Sequence, residues 1–259
     1  MMNKECKQTR IIYYHDELHD DFGEVGLSRP PVPANYCYLR RFRLLSWITY
    51  YLFAKPIMGL ACKFQGVKVV GKKNLKKVRK TGYFLYSNHV SLIDAFKFPA
   101  FVIPTQRVNI IGYSDTLSIK GVKGFAKAVG YLPIPNDLNN LRKMKDAIKT
   151  LVDKKEIVLI YPEAHIWPYY THIRNFQSVS FSYPAEFNKP VLPAVTVWRG
   201  KPNKKPKQTV VIGEPIYPNP ELSVSENKKY LHEQCLYQMK LISSSYEQAE
   251  YIKYIKKDN

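Results

Sequence analysis

The sequence is poor in cysteine, and its four cysteines are far apart. They are Cys6, Cys37, Cys62 and Cys235. They show neither the close spacing of zinc ligands nor the pairing pattern of a small disulfide-linked domain. This excludes a disulfide scaffold and a cysteine-based metal site, and it predicts reduced thiols in a cytosolic compartment.

The sequence also lacks an apolar N-terminus and a long uninterrupted apolar run. The first twenty residues are polar, so no secretory signal peptide is predicted. The longest apolar stretch, residues 44–62, is interrupted by a Lys-Pro pair at 55–56 and barely reaches the roughly 20 residues that a spanning helix needs. We therefore predict two short amphipathic helices in the membrane interface, anchored by Trp47, Tyr50 and Tyr51. A spanning helix and a buried hairpin are the alternatives.

Acidic residues are scarce as well. The chain has 21 Asp and Glu against 40 Lys and Arg, a formal charge of +19, and residues 36–80 hold twelve basic residues and no acid. This surplus predicts an anionic partner, either nucleic acid or an anionic membrane surface. No RNA- or DNA-binding motif accompanies the charge, so the membrane is favoured and no nucleic acid is expected. The basic tract 72–80 is either a solvated helix face or an attractor of anionic lipid, at about 1 kcal/mol per charge.

Residues 1–35 have the opposite balance, with six acidic and four basic residues. A proline-rich connector at residues 29–33 joins this part to the basic segment. We predict a solvated acidic arm here, rather than a metal site built from His15, His19 and the neighbouring acids.

From residue 67 onward, short apolar runs alternate with segments of helical periodicity. The predicted strands cover residues 67–70, 83–87, 107–112, 156–161, 191–198 and 209–213, the last as an edge strand. The predicted helices cover residues 94–101, 122–129 and 138–152, with one or two long helices over 221–256. This alternation is typical of an α/β fold with a mainly parallel sheet covered by helices on both faces. Ligands of such sheets bind beyond the carboxyl ends of the strands.

One stretch after the predicted strand 83–87 carries a histidine and an aspartate. On a single helix, positions five apart differ by roughly 140°, so His89 and Asp94 would diverge. They meet only if His89 lies on the turn after the strand and Asp94 lies in the first turn of the next helix. Ser91 favours that arrangement, because residues 91–94 match a capping box with Ser91 as N-cap.

The pairing of an imidazole with a carboxylate suits proton abstraction from a hydroxyl. The neutral ring accepts the proton, and the carboxylate fixes the tautomer and stabilises the imidazolium. No serine or cysteine nucleophile is required if the substrate supplies the hydroxyl. The simpler alternative is that Asp94 only caps the helix and His89 is a hydrogen-bonded turn residue.

A second polar group follows the predicted strand 156–161. Glu163 and His165 stand just beyond its carboxyl end, where they would converge on one crevice with His89 and Asp94. The alternatives are that Glu163 pairs with a nearby lysine or caps a loop, and that His165 is a structural histidine rather than a second base.

Four ordered blocks resemble the lysophosphatidate (glycerolipid) acyltransferase family. Asn88-His89 with Asp94 resembles the NHxxxxD motif of that family. Residues 130–134 resemble its glycine–aromatic block, 161–163 its Phe-Pro-Glu, and 189–195 its last, Pro-Val-rich block. The resemblance covers about residues 40–215. It implies that His89 is the base and Asp94 its orienting partner, and that Glu163 and Asn88 belong to the substrate-binding residues.

The sequence departs from the family at positions associated with the phosphate of the acceptor. Residues 135–136 are Pro-Asn where the family has an arginine, and residues 164–166 are Ala-His-Ile instead of Gly-Thr-Arg. Gln177 replaces a lysine. We predict that Arg174 supplies the missing cation from a loop bordering the pocket. The alternative is an exposed loop arginine.

The resemblance implies an acyltransferase on the cytoplasmic face of the cell membrane, bound as a peripheral or monotopic protein. The acyl group would come from acyl-CoA or acyl carrier protein, without a cofactor or metal. The acceptor would be the hydroxyl of a lysolipid, in first place 1-acylglycerol-3-phosphate. Another lysophospholipid or polar lipid, and a non-catalytic lipid-binding homologue, are the alternatives. The predicted segments are the acidic arm 1–35, membrane-interface helices 36–66, the α/β acyltransferase core 67–220 and a C-terminal helical segment 221–259.

Overall fold

The computed structural model describes residues 10–23, 29–40, 42–91, 93–103, 105–118, 122–201 and 204–257. Its strands are β1 (Arg10–Tyr14), β2 (Lys68–Val70), β3 (Tyr83–Ser87), β4 (Val108–Gly112), β5 (Tyr131–Pro133), β6 (Ile157–Ile160), β7 (Val191–Arg199), β8 (Lys207–Ile212) and β9 (Ile252–Lys256). Its α-helices are α1 (Arg43–Ile48), α2 (Lys55–Phe64), α3 (Lys72–Val78), α4 (Asp94–Lys97), α5 (Val122–Val129), α6 (Leu138–Asp153), α7 (Ser182–Glu186) and α8 (Val224–Ser244). Two π-helical segments, Thr49–Ala54 and Phe98–Val102, continue α1 and α4.

The central sheet has the strand order β2-β8-β7-β3-β6-β4-β5. Neighbouring strands are parallel except β7 and β8, which are antiparallel. The predicted mainly parallel sheet is therefore confirmed. The prediction that residues 209–213 form an edge strand is wrong, because β2 pairs with the outer side of β8. That partner is distant in sequence, so local periodicity does not reveal it.

Helices cover both faces of this sheet, and alternate residues of β3 serve the two cores. Phe84 and Tyr86 belong to a core completed by side chains of α6 and α8. Tyr83 and Leu85 belong to the opposite core, with side chains of α2, α3 and the π-helical extension of α4. The four side chains are at most 1% exposed. Burial on both faces explains why β3 is a continuous apolar run.

The helical segment before β2 runs from Arg43 to Phe64 without a break. The interruption predicted at the Lys-Pro pair is absent, because Lys55 N–H bonds to Tyr50 O in π-helical register just before Pro56. This wider turn accommodates a proline, which lacks an N–H and crowds the preceding turn. Among the described residues, this helix is the one long and apolar enough, by length and composition, to cross a membrane.

The two ends of the chain meet in a second, two-stranded sheet. Strand β1 pairs with β9 in parallel, with Arg10 opposite Ile252. The helix predicted over residues 221–256 therefore ends at Ser244, and the prediction for 252–256 is wrong. The prediction that the N-terminal arm is solvated is also wrong for its described part, because β1 of this arm pairs with β9. Both errors have one cause, since each strand depends on a partner at the other end of the sequence.

Candidate active site

His89 and Asp94 meet in the turn that follows β3, as their spacing predicts. The His89 Nδ1 atom lies 3.1 Å from Asp94 Oδ2. The predicted capping box is only half formed. Asp94 Oδ2 accepts a bond from Ser91 N–H at 2.9 Å, but the helix begins at Asp94 with Ile93 as N-cap residue and no side-chain cap. The Ser91 hydroxyl instead accepts a long bond of 3.4 Å from Ile93 N–H.

The Asp94 carboxylate is buried and surrounded by donors. Its Oδ2 also accepts from Val90 N–H at 2.9 Å, and its Oδ1 accepts from Lys97 Nζ at 2.5 Å. Burial by itself would raise the pKa of Asp94, but the charge of Lys97 and the bond to His89 outweigh it and hold the pKa below its ordinary value. Lys97 is not among the site residues predicted from the sequence. Its position three residues after Asp94 was the available signal, because that spacing puts both on one helix face.

The imidazole of His89 is held from two sides. Its ring stacks on Tyr161, with centroids 4.2 Å apart and an interplanar angle of 18°. When the neutral ring donates Nδ1–H to Asp94, the lone pair resides on Nε2. His89 also lines a cavity of about 530 Å³. The imidazole thus lies at the cavity wall with its orientation fixed by a carboxylate and an aromatic ring, an arrangement in which a histidine can act as a base.

Glu163 and Arg174 form a buried ion pair behind this histidine. Arg174 Nη2 lies 3.2 Å from Glu163 Oε2, and both side chains are completely inaccessible. Glu163 also accepts bonds from His89 N–H at 3.3 Å and Arg174 N–H at 3.0 Å. Burial raises the pKa of Glu163 above its ordinary value, although Arg174 opposes the shift. Glu163 therefore holds the backbone of the turn that carries His89 and of the loop that carries Arg174.

Arg174 occupies neither of the two positions predicted for it. Its guanidinium donates to the carbonyls of Glu17, at 3.1 Å, and of His165, and lies 4.7 Å from the ring centre of Trp167. Arg174 as a whole is 1% exposed and does not line the cavity. The predicted location at the border of the pocket is thus wrong, and the charge is committed to protein oxygens at this buried position. The exposed-arginine alternative is also wrong.

Asn88 links the turn that carries His89 to the neighbouring strand β7. Its amide donates to Thr196 O at 3.0 Å and accepts from Thr196 N–H at 2.8 Å. The residue is 1% exposed and does not line the cavity. Both polar atoms of the side chain are used in this pairing with β7, so Asn88 does not face a substrate. It anchors the turn that presents His89.

Three of the four family-like blocks contribute residues to the described lining of the cavity, the first of them through His89. The lining includes Tyr131 and Ile134 from the second block, Tyr161 and Pro162 from the third, and Ala164, which follows the third. The last block includes the start of β7, which pairs with β3. In this pairing Ala194 lies opposite Ser87, two residues before His89. Gln177, which stands where the family has a lysine, also lines the cavity.

A smaller, apolar pocket adjoins this cavity. It has a volume of about 170 Å³ and lies between the helical segment of α1 and α2 and the core. Its wall includes Met58, Phe96 and Phe125. The pocket and the cavity share four lining residues, which are Ala95, Ile110, Thr116 and Tyr131. A lipid chain reaching away from His89 would find an apolar space there.

The N-terminal segment closes one side of the cavity. Asp21 Oδ2 lies 3.1 Å from His165 Nδ1, and Asp21 Oδ1 accepts from Ile166 N–H at 3.1 Å. Asp21 and Arg29 both line the cavity, whereas His165 does not. The structural alternative for His165 is therefore the better one. Within the described ranges, no group of three or more His, Cys, Asp or Glu side chains is placed to hold a metal ion.

Comparisons with known proteins identify the fold and the family of the chain. The crystal structure of the 1-acyl-sn-glycerophosphate (LPA) acyltransferase PlsC from Thermotoga maritima is similar, with a TM-score of 0.58 and 19% identity. The similarity covers 82% of this chain and 87% of that one, and at this identity it establishes the shared fold. No curated protein sequence matches the chain. A family model described as Acyltransferase matches residues 66–197, just over half of the sequence, and the chain therefore belongs to the Acyltransferase family.

Proposed function

We propose that this protein transfers a fatty acyl group from an acyl thioester, acyl-CoA or acyl carrier protein, to the hydroxyl of a lysolipid. The observation that carries the proposal is the His89–Asp94 pair on the wall of a cavity that adjoins an apolar pocket. In this proposal, residues 67–220 carry the chemistry, and the helical segment within 36–66 contacts the membrane.

The reaction needs no enzyme nucleophile. Nε2 of His89 accepts the proton of the acceptor hydroxyl. At the same time, the hydroxyl oxygen attacks the carbonyl carbon of the thioester. The carbon–sulfur bond then breaks, and the departing thiolate takes the proton back from His89. Asp94 holds the ring in the required tautomer and stabilises the transient imidazolium. The apolar pocket beside Ala95 and Tyr131 accommodates an acyl chain.

For the acceptor, we propose 1-acylglycerol-3-phosphate first, the class of substrate named for the structurally similar PlsC. Another lysophospholipid is the second candidate, because this chain has Pro135-Asn136, Ile166 and Gln177 where the family it resembles has an arginine, an arginine and a lysine. A direct test incubates purified protein and acyl-CoA with 1-acylglycerol-3-phosphate, lysophosphatidylethanolamine or monoacylglycerol, and measures thiol release and product mass. The absence of product with every acceptor and both donors would favour the non-catalytic lipid-binding alternative.

Arg29 is the best-placed cation for a phosphate-bearing acceptor. It is the one Lys or Arg among the described lining residues of the cavity, and its guanidinium lies 4.1 Å from the ring centre of Tyr113. Arg29→Gln is expected to lower the ratio of kcat/KM for a phosphate-bearing over a phosphate-free acceptor at least about tenfold, since a charge-assisted contact is lost. Arg10→Gln, an exposed arginine on β1, is the matched control. An unchanged ratio in Arg29→Gln would exclude this contact.

We also propose that the protein lies on the cytoplasmic face of the membrane through the helical segment Arg43–Phe64. Large apolar side chains of this segment are exposed, among them Leu44, Trp47 and Phe53. Basic residues of α3 would add an electrostatic attraction to anionic lipid. Cys37, Cys62 and Cys235 are free thiols, which agrees with a reducing compartment.

The triple variant Leu44→Gln, Trp47→Gln, Phe53→Gln is expected to lose vesicle binding at least tenfold, because each buried side chain of this size contributes roughly 1.5–3 kcal/mol. The matched control carries Val224→Gln, Tyr237→Gln and Leu241→Gln, three exposed apolar residues of α8. Sedimentation with anionic vesicles at low and high salt measures the apolar and the electrostatic contributions to binding. Complete release of the unmodified protein by salt alone would mean that the apolar contact is absent, since salt screens only the charges.

A further inference from the structure

Lys97 is a buried cation at the centre of the site, and the reaction described above does not use it. Its side chain has no exposure. Its ammonium bonds to three oxygens: Asp94 Oδ1 at 2.5 Å, Thr196 Oγ1 at 2.7 Å and Gln208 Oε1 at 3.0 Å. Three donors thus meet three acceptors, which come from α4, β7 and β8. Removing an ammonium group from water costs several kcal/mol, so a site this complete is unusual for a lysine that serves packing alone.

The bonds around Lys97 lead back to the catalytic turn. Gln208 Nε2 donates to Ser91 Oγ at 3.3 Å, and Ser91 N–H donates to Asp94 Oδ2. Lys97 therefore fixes one oxygen of Asp94, while the turn and His89 hold the other. Two strands of the central sheet brace this arrangement through Thr196 and Gln208. A rotation of the Asp94 carboxylate would break bonds on both sides.

We infer that Lys97 is a positioning residue that keeps the Asp94 carboxylate ionised and aimed at Nδ1 of His89. The inference rests on the proposed acyl transfer and names a residue outside the family-like blocks. Lys97 touches neither cavity wall, so it acts through Asp94. The lowered pKa of Asp94, in which burial is opposed by Lys97 and His89, agrees with this role.

The expected signature is a change in pH dependence. A cation this close typically lowers the pKa of a carboxyl by about 1–3 units, so its loss favours proton binding by the His89–Asp94 pair. Activity requires the unprotonated pair. The acid limb of the kcat/KM profile should therefore move to higher pH. The other titratable side chains facing this cluster are Tyr161, whose hydroxyl donates to Asp94 O at 2.7 Å, and Cys62, whose thiol pKa burial raises and Lys97 lowers.

The experiment compares full pH profiles of Lys97→Met, Lys97→Gln and Lys97→Arg in the full chain, below the melting temperature of each. The two neutral variants should shift the acid limb upward by about one unit or more, whereas Lys97→Arg, which retains the charge, should stay near the parent profile. The loss of kcat should exceed any change in KM. In an Asp94→Asn background, Lys97→Met should have little further effect on rate, because the two residues act as a unit.

Three results would overturn the inference. The first is an unshifted acid limb in a folded neutral variant, and the second is an additive rate loss in the double variant. The third is that both neutral variants fail to fold while Lys97→Arg folds, which would make Lys97 a structural requirement. A parent protein without acyl transfer would instead refute the proposed function, so the two failures are distinguishable.

Discussion

Replacing His89 by alanine is expected to reduce acyl transfer by a factor of about 10²–10⁴, the usual cost of losing a general base. In His89→Ala, the Asp94 carboxylate keeps its bonds to Lys97 and to two backbone N–H groups. The fold and vesicle binding should therefore be retained. Initial rates with saturating acyl-CoA and the best acceptor, together with the melting temperature, measure both effects.

Two controls separate the chemistry of His89 from indirect effects. His19→Ala removes a histidine whose side chain is 79% exposed, and it should leave the rate unchanged. Asp94→Asn should retain more activity than His89→Ala if Asp94 acts by orientation. Turnover of His89→Ala near that of the parent protein would refute the mechanism. An Asp94→Ala variant that loses only melting temperature and keeps its rate would favour a purely capping role.

The features predicted correctly from sequence are those that depend on neighbouring residues. The apolar run of β3 marks a strand buried on both faces. His89 and Asp94 are five residues apart, so the geometry of one strand end and one helical turn decides whether they meet. Helix α6 shows the same point. It was predicted over residues 138–152 and spans Leu138–Asp153, with Met144, Ile148 and Leu151 buried at helical spacing.

The features that sequence did not predict depend on distant residues. Lys97 bonds to Gln208, 111 positions away, and no local pattern reports that contact. The pairing of β1 with β9 joins the two ends of the chain. Arg174 is the most instructive error. Its distance from Glu163 suggested a loop at the pocket, but the N-terminal segment folds over that loop and Glu17 supplies one of its partners.

The burial of Arg174 leads to the second large effect. Arg174→Ala is expected to destabilise the fold by about 3–5 kcal/mol, because it leaves the Glu163 carboxylate buried without its partner. Transfer to every acceptor should fall together, since Glu163 also holds His89 N–H. Arg142→Ala, an exposed arginine on α6, is the matched control and should change little. Denaturant unfolding and kinetics with two acceptors measure the two effects.

The loss of stability in Arg174→Ala should depend on pH, and the direction of that dependence follows from the pKa of Glu163. Burial already raises the pKa of Glu163 in the folded protein, and removing Arg174, which opposes that shift, raises it further. A group whose folded pKa is raised stabilises the fold below its unfolded pKa and loses that contribution as the pH rises through the folded pKa. The stability gap between Arg174→Ala and the parent protein should therefore be wide at pH 8 and narrow toward pH 5. A second substitution, Glu163→Gln, should also recover part of the loss at pH 8, because it removes the unpaired charge. If Arg174→Ala had the stability of the parent protein and a KM raised only for phosphate-bearing acceptors, this account would be contradicted. Arg174 would then be a phosphate contact, as predicted from the sequence.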